Sequence, residues 1–235
     1  MPDRPYTTLS CSVSLDGYLG DRTPRLALSN AADFDRVDEV RASCDAILVG
    51  AVTVRTDNPR LLVRSPARRE KRTALGLPSS PMKITVSERV DLNADSNFFT
   101  AGEAEKLIYT STGRVRDARR RLGPVATIVD GGRRVRMRRI ADDLADRGVG
   151  RLMVEGGGVV HTQFLADDLV DELQLVIAPF FVGDSSAPRF VSDGHFPWNA
   201  GRRAKLAETR PIGDVVLLRY ALSSRFQEAQ RGNGC

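Results

Sequence analysis

"LMVEGGGVVHTQFL" (Leu152–Leu165) ends an apolar run on one acid and then on three consecutive glycines. The run before the glycines has the length and composition of a buried strand. After them, Val159, Val160, Phe164 and Leu165 recur at helical spacing. A strand that turns this abruptly into a helix is the unit of an α/β fold. Glycines at such a turn permit positive φ and let backbone N–H groups approach a ligand, and the N-terminus of the following helix favours negative charge. Two readings stay open from the glycines alone. One is a phosphate or pyrophosphate cradle, and the other is a tight turn that the chain needs for itself, because the spacing is not G-x-G-x-x-G.

Outward from this stretch, apolar runs bounded by turn residues recur: "TTLSCSVSL", "AILVG", "MKITV", "KLIYT", "ATIVD", "RLMVEG", "ELQLVIAP" and "DVVLLRYAL". Helical spacing lies between several of them, over Asp33–Ser43, Val115–Leu122, Met137–Arg147 and Val159–Leu165. Strand alternating with helix predicts a mostly parallel sheet covered on both faces. No clear helix separates the last two runs, so the sheet is expected to finish antiparallel. The charged, Pro- and Ser-rich segment 64–81 reads as a long loop inside one domain, and "SSRFQEAQRGNGC" reads as a frayed tail. The expected organisation is thus a single domain over 1–223 and a flexible tail over 224–235.

Of the 235 residues, 41% are hydrophobic and 28% charged, and no apolar run approaches the roughly 18–20 residues of a membrane span. Met1–Ser14 lacks a basic segment followed by a long apolar core, so a cytoplasmic protein without a membrane partner is expected. Cys11, Cys44 and Cys235 are odd in number and have no C-x-x-C spacing, and the first two lie in apolar runs as reduced thiols do. With only His161 and His195 present, no His-rich metal site is expected. The formal charge of +5 is concentrated in "RSPARREKR" (Arg64–Arg72) and "RRVRMRR" (Arg133–Arg139). Neither cluster is interleaved with aromatics, so no nucleic-acid platform is expected.

A second strand-to-helix turn, "AILVGAVTVRTDNPRL", has the same logic. The apolar strand Ala46–Val49 ends at Gly50, and Thr53 lies where a helix would begin. Two such turns on one sheet edge would hold a dinucleotide's pyrophosphate. Asp57 follows that helix, and Arg41, Arg60 and Arg64 bracket the turn. Glu155, at the buried end of an apolar strand, needs a partner, because burying an unpaired charge is costly.

With these residues assembled, the chain resembles the reductase family of riboflavin biosynthesis, which has the dihydrofolate reductase fold. The likeness rests on "SVSLDGYLG" (Ser12–Gly20), "VDEVRASCDAILVGAVTVRTDNPRLLVR" (Val37–Arg64), "MVEGGGVVHTQFL" (Met153–Leu165) and "LVDELQLVIAPFFVG" (Leu169–Gly183). It implies an α/β, three-layer sandwich with a mostly parallel mixed sheet that ends in antiparallel strands. It also implies NADPH, a phosphorylated aminopyrimidine whose ribosyl group is reduced to ribityl, and a homodimer. Carried onto matching positions, Gly50, Ala51, Thr53, Asp57, Ser87 and Gly156, Gly157 and Gly158 would bind the cofactor. Arg41, Leu61, Arg64 and Glu155 would bind substrate, and Glu155 or Asp57 would act in catalysis. Two departures matter. Asn58 replaces the second of two acids that family members commonly carry before the proline, and "DRTPRLALS" (Asp21–Ser29) is unlike the usual segment. They leave room for a catalytically silent nucleotide-binding module, or for a reductase of a related pterin or pyrimidine. No H-x-E or P-C-x-x-C accompanies the reductase motifs, so the chain is not expected to deaminate.

Overall fold

Five residues in a row, Ala46–Gly50, are buried, and this run forms an interior strand, flanked on both sides by parallel neighbours. The computed structural model describes residues 3–21 and 26–227. In chain order the strands are β1 (Tyr6–Ser14), β2 (Ala46–Gly50), β3 (Met82–Val86), β4 (Lys106–Thr110), β5 (Thr127–Asp130), β6 (Arg151–Gly156), β7 (Glu172–Ala178), β8 (Lys205–Ile212) and β9 (Val215–Ala221). The helices are α1 (Ala31–Ala42), α2 (Ala51–Asp57), α3 (Pro66–Ala74), α4 (Asn97–Thr100), α5 (Val115–Leu122), α6 (Met137–Asp146) and α7 (Gly158–Ala166). They group into two compact units, one built on Arg36–Gly157 and the other on Tyr6–Asp35 with the chain after Gly157. No helix among the described residues is long and apolar enough to cross a membrane.

In the first unit the strands run in the order β5-β4-β3-β2-β6, and every neighbouring pair is parallel. Ile47, Leu48, Ile84, Leu107, Ile108, Leu152 and Met153 are wholly buried. Each such side chain contributes about 1.5–3 kcal/mol. Lys83 is buried among them, and its ammonium donates to the carbonyls of Phe98 and Ala101 at the end of α4. Burial pushes its pKa down to about 8. In the second unit β1 pairs with β7 in parallel, then β7 with β9 and β9 with β8 antiparallel. The expected α/β architecture, a mostly parallel sheet with antiparallel strands at its end, is what forms.

Two expectations need correction. The stretch 64–81 is not a long loop, because Pro66–Ala74 is a helix. Ser65 caps it by accepting from the backbone N–H of Arg68, and Pro66 opens it, where a missing N–H costs nothing. The helix has few apolar residues to bury, so it is anchored by charge-assisted hydrogen bonds. The guanidinium of Arg72, 3% exposed, donates to the carbonyls of Ala42 and Cys44 at the end of α1 and to that of Pro78. The second omission is β8, "KLAETRPI", which is exposed at most positions and carries Pro211. It has no buried face to leave an alternating pattern. An edge strand tolerates this, since only β9 pairs with it. In the final stretch, Arg225 forms an ion pair with buried Asp171, while residues 228–235 lie outside the described residues.

His161, on α7, is fully buried. Its Nδ1 donates to the Phe190 carbonyl at 3.2 Å, and its Nε2 has no hydrogen-bond partner among the described residues. Burial pushes its pKa down from 6.5 to about 4. A histidine depressed in the folded state adds stability that is fully present above its unfolded pKa and is lost as pH falls from there through the folded value. Thermal stability is therefore expected to hold above pH 6.5 and to fall between 6.5 and 4. The loss corresponds to about 3 kcal/mol. In His161→Gln, melting curves across this window should flatten; an unchanged slope would remove His161 as the source.

Candidate active site

At the carboxyl edge of the first unit's sheet, β2 passes directly into α2. Gly50 is the N-cap, and no side chain caps it. Ala51 starts the helix, so it begins two residues earlier than Thr53 and contains Asp57 as its last residue. Beside it, β6 ends in Gly156. A methyl group on Gly156 would lie 3.2 Å from Thr53 Cγ2 and Oγ1. Gly157 has φ +94°, a conformation that L side chains rarely adopt, and a methyl there would lie 3.4 Å from Thr53 Oγ1 and 3.7 Å from Gly50 Cα. Thr53 and the bare backbone of Gly50, Gly156 and Gly157 thus converge. Gly158 has a different reason to be glycine. A side chain there would run into the carbonyl oxygen of Arg189, a backbone atom of its own unit. Thr53 and Asp57 are four residues apart and share one face of α2, but Asp57 is exposed one turn further on and accepts from Thr56 Oγ1.

Glu155 finds its partner in Arg41. The guanidinium grips both carboxylate oxygens, Nε to Oε1 at 2.6 Å and Nη2 to Oε2 at 2.5 Å, with side chains only 16% and 11% exposed. Burial alone would lower the pKa of Arg41, yet the charge and hydrogen bonds of Glu155 prevail and raise it. The sheet itself aims Glu155. Leu48 pairs with Val154 and Val49 with Gly156, so Glu155 is the extra residue of a β-bulge, a feature that re-aims a side chain.

Arg41 also donates to the Leu62 carbonyl at 3.4 Å, which ties the segment after α2 to the same helix. This segment makes a tight path. Asn58 and Leu61 both have positive φ, 44° and 49°. For buried Leu61 that is an outlier of the kind that concentrates at functional sites. Asn58 caps α2 in the left-handed conformation, and its side-chain oxygen accepts from the Asn97 N–H at 2.7 Å. The asparagine that departs from the expected acid therefore has a structural task. Arg64 and Arg60 are exposed. Ser87, at the end of β3, is buried, and its hydroxyl accepts from the Val90 N–H within a local turn.

Of the residues singled out by sequence, Gly50, Ala51, Thr53, Gly156 and Gly157 come together, and Glu155 and Arg41 form one ion pair. Ser87 is occupied in its own turn. Part of the divergent segment, residues 22–25, lies outside the described residues. The sequence reading missed Asp38. Buried on α1 three residues before Arg41, it holds the backbone of Arg64 and Ser65. A buried acid at i−3 from a predicted site arginine was the available signal. Burial pushes the Cys44 thiol up to about 11, so it is an unreactive core group.

The chain is 33% identical over 225 residues to the 2,5-diamino-6-ribosylamino-4(3H)-pyrimidinone 5′-phosphate reductase of Archaeoglobus fulgidus, covering 95% of this chain and 99% of that protein. It is 30% identical over 224 residues to the enzyme of the same name from Methanothermobacter thermautotrophicus, covering 93% and 99%. A crystal structure of a pyrimidine reductase-like protein from Corynebacterium diphtheriae superposes with a TM-score of 0.80 at 23% identity, over 92% of this chain and 91% of the other, and shares the fold. Residues 5–218 match the RibD C-terminal domain, and the chain belongs to that family.

Proposed function

We propose that this chain is an NADPH-dependent reductase of the riboflavin pathway that converts the ribosyl group of a phosphoribosylaminopyrimidine to ribityl. The observation that carries the reading is the half-buried Arg41–Glu155 pair, set by a β-bulge immediately before the glycine turn. The turn fits a dinucleotide's phosphates: an uncapped helix N-terminus, the Thr53 hydroxyl and a backbone bare of side chains at Gly156 and Gly157. Gly50, Ala51, Thr53, Gly156 and Gly157 would hold the pyrophosphate, with Gly158 shaping the turn. Asp57 and Ser87 would lie further along the same edge. When bound, NADPH supplies the hydride.

The substrate side is Arg41, Leu61, Arg64 and Glu155. Arg64 would bind the phosphate with charge-assisted hydrogen bonds. Glu155, with both oxygens accepting from Arg41, is the acidic group set at the end of β6 beside the glycine turn. It favours the protonated imine of the opened sugar, and hydride addition at C1 of that iminium yields the amine with no further proton required. This ranks Glu155 above Asp57 in the chemistry and leaves Asp57 to orient the cofactor. Cytoplasmic location accords with a biosynthetic role.

Steady oxidation of NADPH on addition of the phosphoribosylaminopyrimidine tests the reading. NADPH should bind more tightly than NADH, with the gap narrowing at high salt, since the exposed Arg114 stands at the carboxyl end of β4, two strands from β2. Binding without turnover would favour a silent nucleotide-binding module instead.

A homodimer is proposed as well. On β7, Glu172, Gln174 and Val176 are buried, whereas Leu173, Leu175 and Ile177 on the opposite face are only half-buried. Their cross-strand partners are Tyr220, Leu218 and Val216, an apolar face suited to a second copy. Sedimentation should give a dimer, and Leu175→Lys with Leu218→Lys should give monomers. A wild-type monomer would discard this assignment.

A further inference from the structure

The geometry points to Asp38 as the residue that positions Arg64 for the substrate phosphate. This inference rests on the reading of Arg64 as the phosphate-binding cation. Arg64 itself is exposed on an irregular segment, where an arginine would normally sample many orientations. Its backbone is nevertheless held from both sides. Asp38 Oδ1 accepts the Arg64 N–H, Asp38 Oδ2 accepts the Ser65 N–H at 3.1 Å, and the Arg64 carbonyl accepts from the Arg69 guanidinium at 2.7 Å. Asp38 is 2% exposed, and the same Oδ2 takes an ion pair from Arg68 at 3.0 Å. A buried carboxylate is costly unless it is satisfied, and here two backbone donors and one guanidinium satisfy it.

The position of Asp38 matters as much as its bonds. It lies three residues before Arg41, on the same side of α1. One helix therefore fixes Leu62 through Arg41 and Arg64 through Asp38, and it sets how far the Arg64 side chain starts from the Glu155 carboxylate. The carboxylate also sits at the N-terminus of α3, whose cap is Ser65, where negative charge is favoured. An effect on catalysis by this route would be one of positioning, since Asp38 acts through the backbone it holds at Arg64 and Ser65.

The experiment measures KM and kcat for the phosphorylated aminopyrimidine and for its dephosphorylated form. The variants are Asp38→Ala, Asp38→Asn, Arg64→Ala, Arg68→Ala and the Asp38→Ala/Arg64→Ala double. Asp38→Ala should raise KM for the phosphorylated substrate about tenfold, with kcat and NADPH affinity unmoved and KM for the dephosphorylated form unchanged. Asp38→Asn, which keeps one acceptor, should fall between and covers the case in which the alanine variant fails to fold. Arg68→Ala, which removes the ion pair but leaves the Arg64 backbone held, should lower thermal stability and keep the wild-type KM. The double should be no worse than Arg64→Ala alone, the signature of two residues acting through one contact. If Arg64→Ala raises KM while both Asp38 variants leave it within about twofold, the positioning role is overturned and the reading of Arg64 survives. A KM rise shared equally by the dephosphorylated form also overturns it, since that marks general loosening. If Arg64→Ala leaves KM unchanged, the phosphate reading itself falls and takes this inference with it.

Discussion

Arg41→Ala is expected to lower stability by about 3–5 kcal/mol and to abolish NADPH oxidation. The stability loss does not measure the worth of the ion pair. Removing the guanidinium leaves the half-buried carboxylate of Glu155 without its two donors, and an uncompensated charge in that position is what destabilises. The double variant Arg41→Met/Glu155→Leu separates the two effects. It removes both charges and fills similar volume, so urea denaturation should show most of the lost stability restored. Activity should stay absent, because the charge beside the glycine turn is gone. A double variant that is stable and as active as the wild type would show that the pair only braces the fold.

The three glycines give the other large effect, and the structure divides them. Gly158→Ala should cost about 3 kcal/mol or prevent folding, because the added methyl meets the backbone carbonyl of Arg189, which has no rotamer by which to move away. Gly157→Ala should be milder for the fold. Its methyl would lie at ordinary contact distance from Thr53 and Gly50, so the cost is the positive φ, about 1–3 kcal/mol. That methyl would nonetheless occupy the space between the α2 N-terminus and the β6 end where the cofactor phosphates are proposed. NADPH affinity should fall at least about a hundredfold, or about 2.7 kcal/mol. Calorimetric titration of Gly157→Ala together with its melting curve decides the matter, and near-normal affinity in the folded variant would end the phosphate-cradle reading.

The sequence by itself determined what depends on local pattern. β2 was legible because a strand buried on both faces must be apolar without interruption, β6 from its apolar centre Leu152–Val154, and α5 to the residue from its helical spacing. The antiparallel finish followed from the lack of a crossover helix between β7 and β9. The glycine turn and the residue types around it were visible in the same way, as was the need of Glu155 for a partner. α3 was hidden because its stabilising contacts are carbonyls of α1 and an acid well before it in sequence, which leave no apolar period. β8 was hidden because an exposed edge strand takes its order from its neighbour's hydrogen bonds.

Tertiary structure alone decided which partner each charge found. That Glu155 is paired by Arg41, 114 residues away in sequence, depends on a register shift between β2 and β6 that no local pattern encodes. The same holds for the question the glycines raise. Gly156 is bare because Thr53 faces it, and Gly158 is bare because the Arg189 carbonyl crosses it. Gly157 alone is glycine for a conformational reason of its own, its positive φ. A residue type records that close approach is required, while the identity of the approaching atom is a property of how distant segments pack.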